Sequence, residues 1–194
     1  MTPDLSAFDN SWYHPGRPRV VQALWFFLGL PLLRFPLIPM SSFRVLLLRL
    51  FGAQIGRGVV VKPSVRVKYP WLLRVGAHSW IGEDVWIDNL ASVRLGSNVC
   101  ISQGAYLCTG NHDWSDPAFG LMAQPIVVEN GSWIGARAIV CPGVSVGQCG
   151  IAAAGSVLAK DVPPFEIHAG NPASFVRYRP LPHALPAHQP VLRA

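Results

Sequence analysis

The sequence predicts an all-β domain, a parallel β-helix, behind a helical N-terminal appendage. An aliphatic residue recurs at every sixth position between Ile55 and Pro163, and this period breaks only after a third repeat. An apolar segment without charged residues precedes the repeats. The fifteen sixfold positions, all Ile, Leu or Val except Ala152, are Ile55, Val61, Val67, Val75, Ile81, Ile87, Leu95, Ile101, Leu107, Val128, Ile134, Val140, Val146, Ala152 and Leu158.

The spacing between groups of three repeats predicts the shape of the coils. Within a group the step is six residues, and between groups it is eight, eight, twenty-one and six. Repeats that group in threes indicate triangular coils, so the fifteen positions predict about five coils. The two-residue insertions and the long loop at residues 109–125 then leave the prism at the same corner.

The remaining repeat positions indicate strands rather than helices. The fifth place of each repeat is mostly small or β-branched, and the second place is often glycine, as at Gly56, Gly76 and Gly96. Two inward positions in six residues, one large and one small, do not fit a period of 3.6 residues. They fit short strands that are each followed by a turn.

The sixth place of each repeat is predicted to point outward and to form columns along the prism. The first column is Val60, Trp80, Cys100, Trp133 and Ile151. The second column is Arg66, Trp86, Tyr106, Ile139 and Val157. The third column is Leu72, Ser92, His112, Ser145 and Pro163. The first two columns are largely apolar or aromatic and predict a subunit interface, whereas the third is small and polar around its histidine.

The N-terminal region, residues 1–54, contains two predicted helices. Residues 20–33 are apolar and uncharged, but a helix that spans a bilayer needs about 18 or more such residues. Ser41 or Ser42 can cap a second helix, and Gly52 follows its predicted end. Two interpretations remain open: a helical cap over the end of the repeat core, or a helix pair that rests on the inner membrane surface.

Composition restricts the class of partner. The 194 residues are 51% hydrophobic and 13% charged, with a formal net charge of +6. This balance favours an anionic partner such as a phosphate-bearing cofactor or acidic lipid. The absence of a basic run and of zinc-finger spacing argues against nucleic acid. Four cysteines without a CxxC pair, and an N-terminus without a cleavable signal, predict reduced thiols in a cytoplasmic protein.

His112, in the long loop, is the main candidate for catalysis. Transfer of an acyl group from a thioester to an alcohol needs a base that takes the hydroxyl proton, and imidazole suits neutral pH. It also needs a hydrogen-bond donor for the developing oxyanion. From the residues alone, the alternative stays open that His112 is a loop residue with local hydrogen bonds.

The repeats and residues 108–113 closely resemble the hexapeptide-repeat acyltransferases. The resemblance implies a left-handed β-helix, a homotrimer with active sites between subunits, acetyl-CoA as the acetyl donor and His112 as general base. Further segments are similar to the colanic acid biosynthesis acetyltransferase group, which implies O-acetylation of a sugar in a lipid-linked exopolysaccharide precursor. These segments are Phe8-Asp9-Asn10, residues 50–56, Tyr69-Pro70-Trp71, residues 86–89 and residues 100–106.

The resemblance also implies roles for residues other than His112. Acceptor binding is expected at Asp88 and Asn89, with Asn111 and Asp113 beside the histidine; a solvated corner is the alternative. Cofactor binding is expected at Trp133, whose alternative role is interface packing. Basic residues suit the CoA phosphates, and the candidates are Lys160, Arg177 and Arg179.

Zinc and nucleotide chemistry are not predicted. Carbonic anhydrases of the same fold bind zinc through three histidines, two of them five residues apart, but Pro117 stands five residues after His112. The other histidine within the coils is His78. No metal site is therefore expected, and no phosphate-binding GxxxxGK[ST] loop is present.

Four regions are predicted: residues 1–54, apolar and helical; 55–163, the repeat domain; 164–179, a basic segment; and 180–194, a disordered tail rich in Pro, Ala and His. The predicted function is acetyl-CoA-dependent O-acetylation of a sugar or lipid-linked glycan, in the cytoplasm and in peripheral contact with the inner membrane. The alternatives are a small-molecule acceptor (an antibiotic, serine or a free sugar) and a non-catalytic β-helical scaffold.

Overall fold

The computed structural model describes residues 2–180, in which a helical N-terminal region covers one end of a β-helix. A 3₁₀ turn at Leu5–Ala7 is followed by helix α1 (Arg19–Leu24), a π-helical segment (Trp25–Gly29), α2 (Leu30–Arg34) and α3 (Ser41–Leu50). From Trp25 onward, the buried residues of the first helical stretch are Trp25, Gly29 and Leu33, each four residues apart. Among the helices of residues 2–180, none combines the length and hydrophobicity required to cross a bilayer.

A buried arginine fixes the connection between α2 and α3. The Arg44 side chain is fully buried and donates hydrogen bonds to the carbonyl oxygens of Leu33, Phe35, Ile38 and Met40. Hydrogen bonds from a charged donor are stronger than neutral ones. One side chain therefore holds most of this connection in a single conformation.

Each coil of the β-helix contributes one short strand to each of three parallel sheets. The first coil is β1 (Gln54–Ile55), β2 (Val60–Val61) and β3 (Arg66–Val67). The second, after a 3₁₀ turn at Pro70–Leu72, is β4 (Leu73–Val75), β5 (Trp80–Ile81) and β6 (Trp86–Asp88). The third is β7 (Val93–Leu95), β8 (Cys100–Ile101) and β9 (Tyr106–Cys108).

An antiparallel hairpin interrupts the coils at this point. It consists of β10 (Gly110–His112) and β11 (Leu121–Ala123). The fourth coil is β12 (Ile126–Val128), β13 (Trp133–Ile134) and β14 (Ile139–Val140). The fifth is β15 (Ser145–Val146), β16 (Ile151–Ala152) and β17 (Val157–Leu158), and the terminal strands are β18 (Glu166–Gly170) and β19 (Ala173–Tyr178).

The pairing of these strands confirms the predicted parallel β-helix. Sheet A is β1-β4-β7-β12-β15, sheet B is β2-β5-β8-β13-β16-β18-β19, and sheet C is β3-β6-β9-β14-β17. Beyond the five complete coils, β18 pairs with β16, and Val162 forms a bridge with Val146. A partial sixth coil therefore closes the C-terminal end, where β19 folds back antiparallel on β18.

The inward positions form the core that the sixfold period predicts. Of the fifteen positions, all are buried except Ile55, which is partly exposed in the first coil. Neighbouring coils approach so closely at Gly76 that an added Cβ would lie 2.5 Å from the backbone of Gly96 and Ser97. All four cysteines are free thiols, as predicted.

The strand registers confirm two of the three predicted outward columns and correct the third. The columns that begin at Val60 and Arg66 follow sheets B and C. The third prediction holds only at Ser145. After the first two coils the two-residue insertions come before the outward position, so Leu73 is buried and Arg74 points outward, and His112 lies in the hairpin rather than in the column. The outward column of sheet A is Gln54, Arg74, Arg94, Val127 and Ser145.

Residues 164–179 contribute β18 and β19 and are thus part of the closing end of the β-helix. The guanidinium of Arg179 donates to the carbonyl oxygens of Gly131 (2.8 Å) and Cys149 (3.3 Å). The tail predicted to be disordered lies outside the described residues, apart from Pro180.

Candidate active site

The candidate site lies at the edge between sheets C and A, where the long loop leaves the prism. In the hairpin of β10 and β11, His112 pairs with Leu121, and residues 113–120 connect the two strands. The base of the hairpin is tied to the preceding coil, since the backbone N–H and hydroxyl of Thr109 both donate to the carbonyl of Asp88. The regular coils therefore hold the histidine hairpin in position.

The imidazole of His112 has one nitrogen occupied by the protein. Its Nδ1 lies 2.8 Å from the carbonyl oxygen of Phe119. A carbonyl oxygen can only accept a hydrogen bond, so Nδ1 carries the proton. In the neutral ring, Nε2 then has the free lone pair, which is the form that a general base requires.

Two aromatic rings that the sequence did not predict at this site flank the imidazole. The ring of Phe119 stacks on it at 4.5 Å between centroids and 9° between planes, and the ring of Phe8 lies at 5.6 Å and 56°. Phe119 has a positive φ of 52°, a conformation that costs a non-glycine residue about 1–3 kcal/mol. Its ring and carbonyl both contact His112, and these contacts offset that cost.

The N-terminal segment reaches the same loop, which explains the position of Phe8. The backbone N–H of Asp4 donates to the carbonyl of Pro117 at 2.8 Å. The hydroxyl of Tyr13 donates to the carbonyl of Leu90 at 2.7 Å. Residues far apart in the sequence thus meet beside the histidine.

The two residues that flank His112 make local hydrogen bonds. The side-chain oxygen of Asn111 accepts from the backbone N–H of His112 at 2.8 Å. The carboxylate of Asp113 accepts from the hydroxyl and backbone N–H of Ser115, and these bonds lower the pKa of Asp113. The group that orients the imidazole is therefore the Phe119 carbonyl rather than the adjacent carboxylate.

Asp88 lies one coil earlier, in register with Cys108, and belongs to a polar cluster on sheet C. Its carboxylate lies 3.0 Å from the Lys68 ammonium and accepts a hydrogen bond from the Tyr106 hydroxyl at 3.2 Å. Burial, with the neighbouring Cys108 and Asp88, raises the pKa of Tyr106, so the phenol stays protonated and donates. No pattern in the sequence pairs Lys68 with Asp88.

Aromatic stacking extends this cluster along sheet C. The Trp86 ring stacks on Tyr106 at 4.5 Å and 22°, and the Arg66 guanidinium carbon lies 4.7 Å from the Trp86 ring centroid. Arg66, Trp86 and Tyr106 of the second outward column thus form a stacked series next to Asp88.

Asn89, expected beside Asp88 in acceptor binding, has a different role. Its side chain is fully buried, its oxygen accepts from the backbone N–H of Tyr69, and its nitrogen donates to the Tyr69 carbonyl. Both hydrogen-bonding atoms are used to join two neighbouring coils. Asn89 is not accessible to a ligand in this geometry.

The residues expected to bind the cofactor lie elsewhere on the chain. Trp133 is 46% exposed on sheet B, and its indole N–H donates to the Ser102 hydroxyl at 2.8 Å. On the same sheet, Trp80, Cys100 and Ser102 line a groove of about 210 Å³. Sheet B is the side of the triangle opposite the edge that carries the hairpin, so Trp133 and His112 of one chain face apart.

The three basic candidates lie towards the C-terminal end of the coil. Lys160 is exposed in the turn after β17, and Arg177 is exposed on β19. Arg179 instead uses its guanidinium to tie the terminal hairpin to two coil corners. Lys160 and Arg177 therefore remain accessible to phosphate groups.

Comparison with known proteins identifies relatives along almost the whole chain. No protein-family model matches it. It is 36% identical over 176 residues to the colanic acid biosynthesis acetyltransferase WcaF of Escherichia coli (strain K12), covering 91% of this chain and 97% of the relative. It is 28% identical over 128 residues to the galactoside O-acetyltransferase of the same strain, covering 64% of this chain and 63% of that one.

Solved structures agree with the sequence comparison. A hexapeptide-repeat-containing acetyltransferase of Vibrio cholerae, complexed with acetyl coenzyme A, has a TM-score of 0.75 and 26% identity. The similarity covers 82% of this chain and 87% of the solved one.

Proposed function

The chain belongs to the hexapeptide-repeat acetyltransferases, and we propose that it acetylates a sugar hydroxyl of an exopolysaccharide precursor with His112 as general base. As a member of this family it is an acetyl-CoA-dependent acyltransferase. The observation that carries the proposal is the hydrogen bond from His112 Nδ1 to the Phe119 carbonyl, which makes Nε2 the nitrogen with the free lone pair in the neutral ring. The glycan acceptor is supported by the name of the WcaF relative.

The proposed reaction needs no covalent enzyme intermediate, because acetyl-CoA supplies an acetyl group that is already activated as a thioester. His112 Nε2 takes the proton of the acceptor hydroxyl while the hydroxyl oxygen bonds to the acetyl carbon of acetyl-CoA. The imidazolium keeps its Nδ1–H bond to Phe119, which becomes charge-assisted and therefore stronger. The proton then passes to the departing thiolate sulfur, and the base is regenerated.

The proposed acceptor site combines the loop and sheet C. Asp88 is suited to accept a hydrogen bond from a sugar hydroxyl, and Lys68 and Tyr106 hold its carboxylate in place. Asn111 and Asp113 flank the proposed base and are the other residues expected to bind the acceptor. Asn89 is left out of the proposal because Tyr69 occupies both of its polar atoms.

The proposed site lies between subunits of a homotrimer. His112 and the expected cofactor residue Trp133 lie on opposite sides of one prism, so a site that uses both requires two copies of the chain. The half-exposed Trp80 and Trp133 give sheet B an apolar surface that suits such an interface. Lys160 and Arg177 are the proposed partners of the CoA phosphates, whereas Arg179 is already bound to backbone carbonyls.

An acceptor panel tests the substrate class. Release of CoA thiol, corrected for acetyl-CoA hydrolysis, is measured with oligosaccharides, lipid-linked sugars, free sugars, serine and an aminoglycoside. The expected result is thiol release that depends on a glycan acceptor. We place the corresponding reaction in the cytoplasm, where lipid-linked precursors are built. Release with serine or the antibiotic alone would contradict the glycan assignment, and no release with any acceptor would favour a scaffold.

A further inference from the structure

The helical region has an apolar surface that the rest of the described chain leaves uncovered. We call this surface the apolar cap and define it by Val20, Leu24, Phe27, Leu28, Phe35 and Leu37. All six side chains are exposed, and Phe27 and Leu37 retain 79% and 78% of their accessible surface. Exposed apolar patches of this extent mark interaction surfaces.

The helix that carries the apolar cap is fixed to the β-helix by its opposite side. Trp25 and Leu33 are fully buried, and the Trp25 indole donates to the carbonyl of Val67 in the first coil at 3.0 Å. Between residues 20 and 33 the only polar side chain is Gln22. A helix that is apolar all round but buried along a single stripe leaves its other faces without a partner.

The turn that presents Phe35 and Leu37 is also held rigidly. Arg44 donates to the carbonyl oxygens of Leu33, Phe35 and Ile38 from a fully buried position. The turn that carries these apolar side chains is therefore already ordered, and little conformational entropy is lost when a partner covers them.

The charge around the apolar cap is predominantly positive, although Asp84 lines a pocket together with Phe35 and Arg34. Between Asn10 and Gly82 the sequence contains ten Lys and Arg residues and no Asp or Glu. Arg17 and Arg19 stand at the beginning of the first helical stretch, and Arg34 stands at its end. The surface thus combines exposed aromatic and aliphatic side chains with a rim of positive charge.

This combination favours a lipid surface over a symmetric pairing of two apolar caps. A second copy that packed its own apolar cap face to face on this one would bring two arginine-rich surfaces together, and such like-charge contacts are unfavourable. An anionic lipid surface offers phosphate groups to the arginines and acyl chains to the apolar residues. We propose that the apolar cap docks on an anionic membrane surface, with Phe27, Phe35 and Leu37 inserted at the level of the headgroups.

The test is vesicle flotation of the full-length protein. Vesicles of phosphatidylglycerol and phosphatidylethanolamine are compared with phosphatidylcholine vesicles, at low and high salt. The protein is expected to float with the anionic vesicles, less so at high salt. The double variant Phe27→Glu, Leu37→Glu should weaken binding at least about tenfold, whereas Val176→Glu, at an exposed apolar position on β19, should bind like the wild type.

Two further measurements keep this result interpretable. The variant Arg19→Gln, Arg34→Gln leaves the apolar residues intact and should reduce binding to anionic vesicles. Acetyl transfer to a soluble acceptor, which does not depend on the cap, should persist in both double variants and shows that they fold. Vesicle binding that both variants retain would overturn the proposal. Loss of the oligomer in Phe27→Glu, Leu37→Glu, detected by light scattering, would show instead that the cap is a subunit interface.

Discussion

The tautomer of the neutral His112 imidazole is set by one backbone carbonyl. Because Phe119 accepts from Nδ1 at 2.8 Å, Nε2 of the neutral imidazole carries the lone pair that can accept a proton. The stacked Phe119 ring restrains rotation of the same imidazole. One residue thus contributes both to the tautomer and to the orientation of the proposed base.

Replacing Phe119 by Asn tests the contribution of its ring. Asn tolerates the positive φ at this position and keeps the carbonyl, so the change removes the stacking while the hydrogen bond can remain. An aromatic pair contributes roughly 0.5–1.5 kcal/mol, so kcat is expected to fall about two- to tenfold with the KM for acetyl-CoA little changed. The matched control is Phe175→Asn, which alters an aromatic contact of His168. Equal kcat values in the two variants would rule out positioning by the ring.

Single residues differ in how far the sequence could predict them. His112 was predicted because the loop interrupts an otherwise regular period and because imidazole suits the chemistry. Phe119 and Phe8 follow no period, and their contacts depend on loop conformation and on a segment about a hundred residues away. Asn89 looked like a site residue beside Asp88, and only the neighbouring coil reveals that Tyr69 occupies both of its polar atoms.

At the scale of elements, the coils stack closely enough that glycine is needed at some corners. The change Gly76→Ala would place a Cβ 2.5 Å from the Gly96 carbonyl carbon and the Ser97 nitrogen. Backbone cannot yield as a flexible side chain does, so the free energy of unfolding is expected to fall by about 1–3 kcal/mol in urea titrations.

Gly120→Ala is the matched control for this change. Its Cβ would meet only the end of the Asp116 side chain, at 3.2 Å, and the unfolding free energy should stay close to that of the wild type. If Gly76→Ala were as stable as Gly120→Ala, tight stacking of the coils at this corner would be refuted.

Elements with a strong period were predictable, and irregular ones were not. The sixfold ladder identified the parallel β-helix and the outward columns of sheets B and C. The outward column of sheet A was misassigned because the spacing alone does not show whether the two inserted residues come before or after the outward residue. Packing decides the choice, since Leu73 enters the core and Arg74 cannot. The partial sixth coil does not continue the sixfold period, because β18 and β19 form an antiparallel hairpin rather than successive strands of a coil.

At the scale of the whole molecule, the proposed site requires more than one chain. The edge of the prism that carries His112 lies opposite sheet B. The sequence could predict the apolar columns but not their position relative to the histidine. Assembly and acetyl transfer are therefore expected to be lost together.

The variant Trp80→Glu tests this coupling. Trp80 is 56% exposed on sheet B in the single chain, and a carboxylate buried at an interface without a partner is strongly unfavourable. Light scattering should give a trimer for the wild type and smaller species for the variant, and acetyl transfer should fall with the trimer. An active monomer, whether wild type or variant, would contradict a site shared between subunits.

The central claim is that His112 is the general base of an acetyltransferase, and its most direct test is the acetyl-transfer rate of His112→Ala. His78→Asn is the control, since His78 lies at another corner of the coil and its positive φ of 58° is one that Asn accepts. The rate of His112→Ala is expected to fall by about 10²-fold or more with the oligomer intact, while His78→Asn stays near the wild type. Turnover by His112→Ala within a few-fold of the control would contradict the claim.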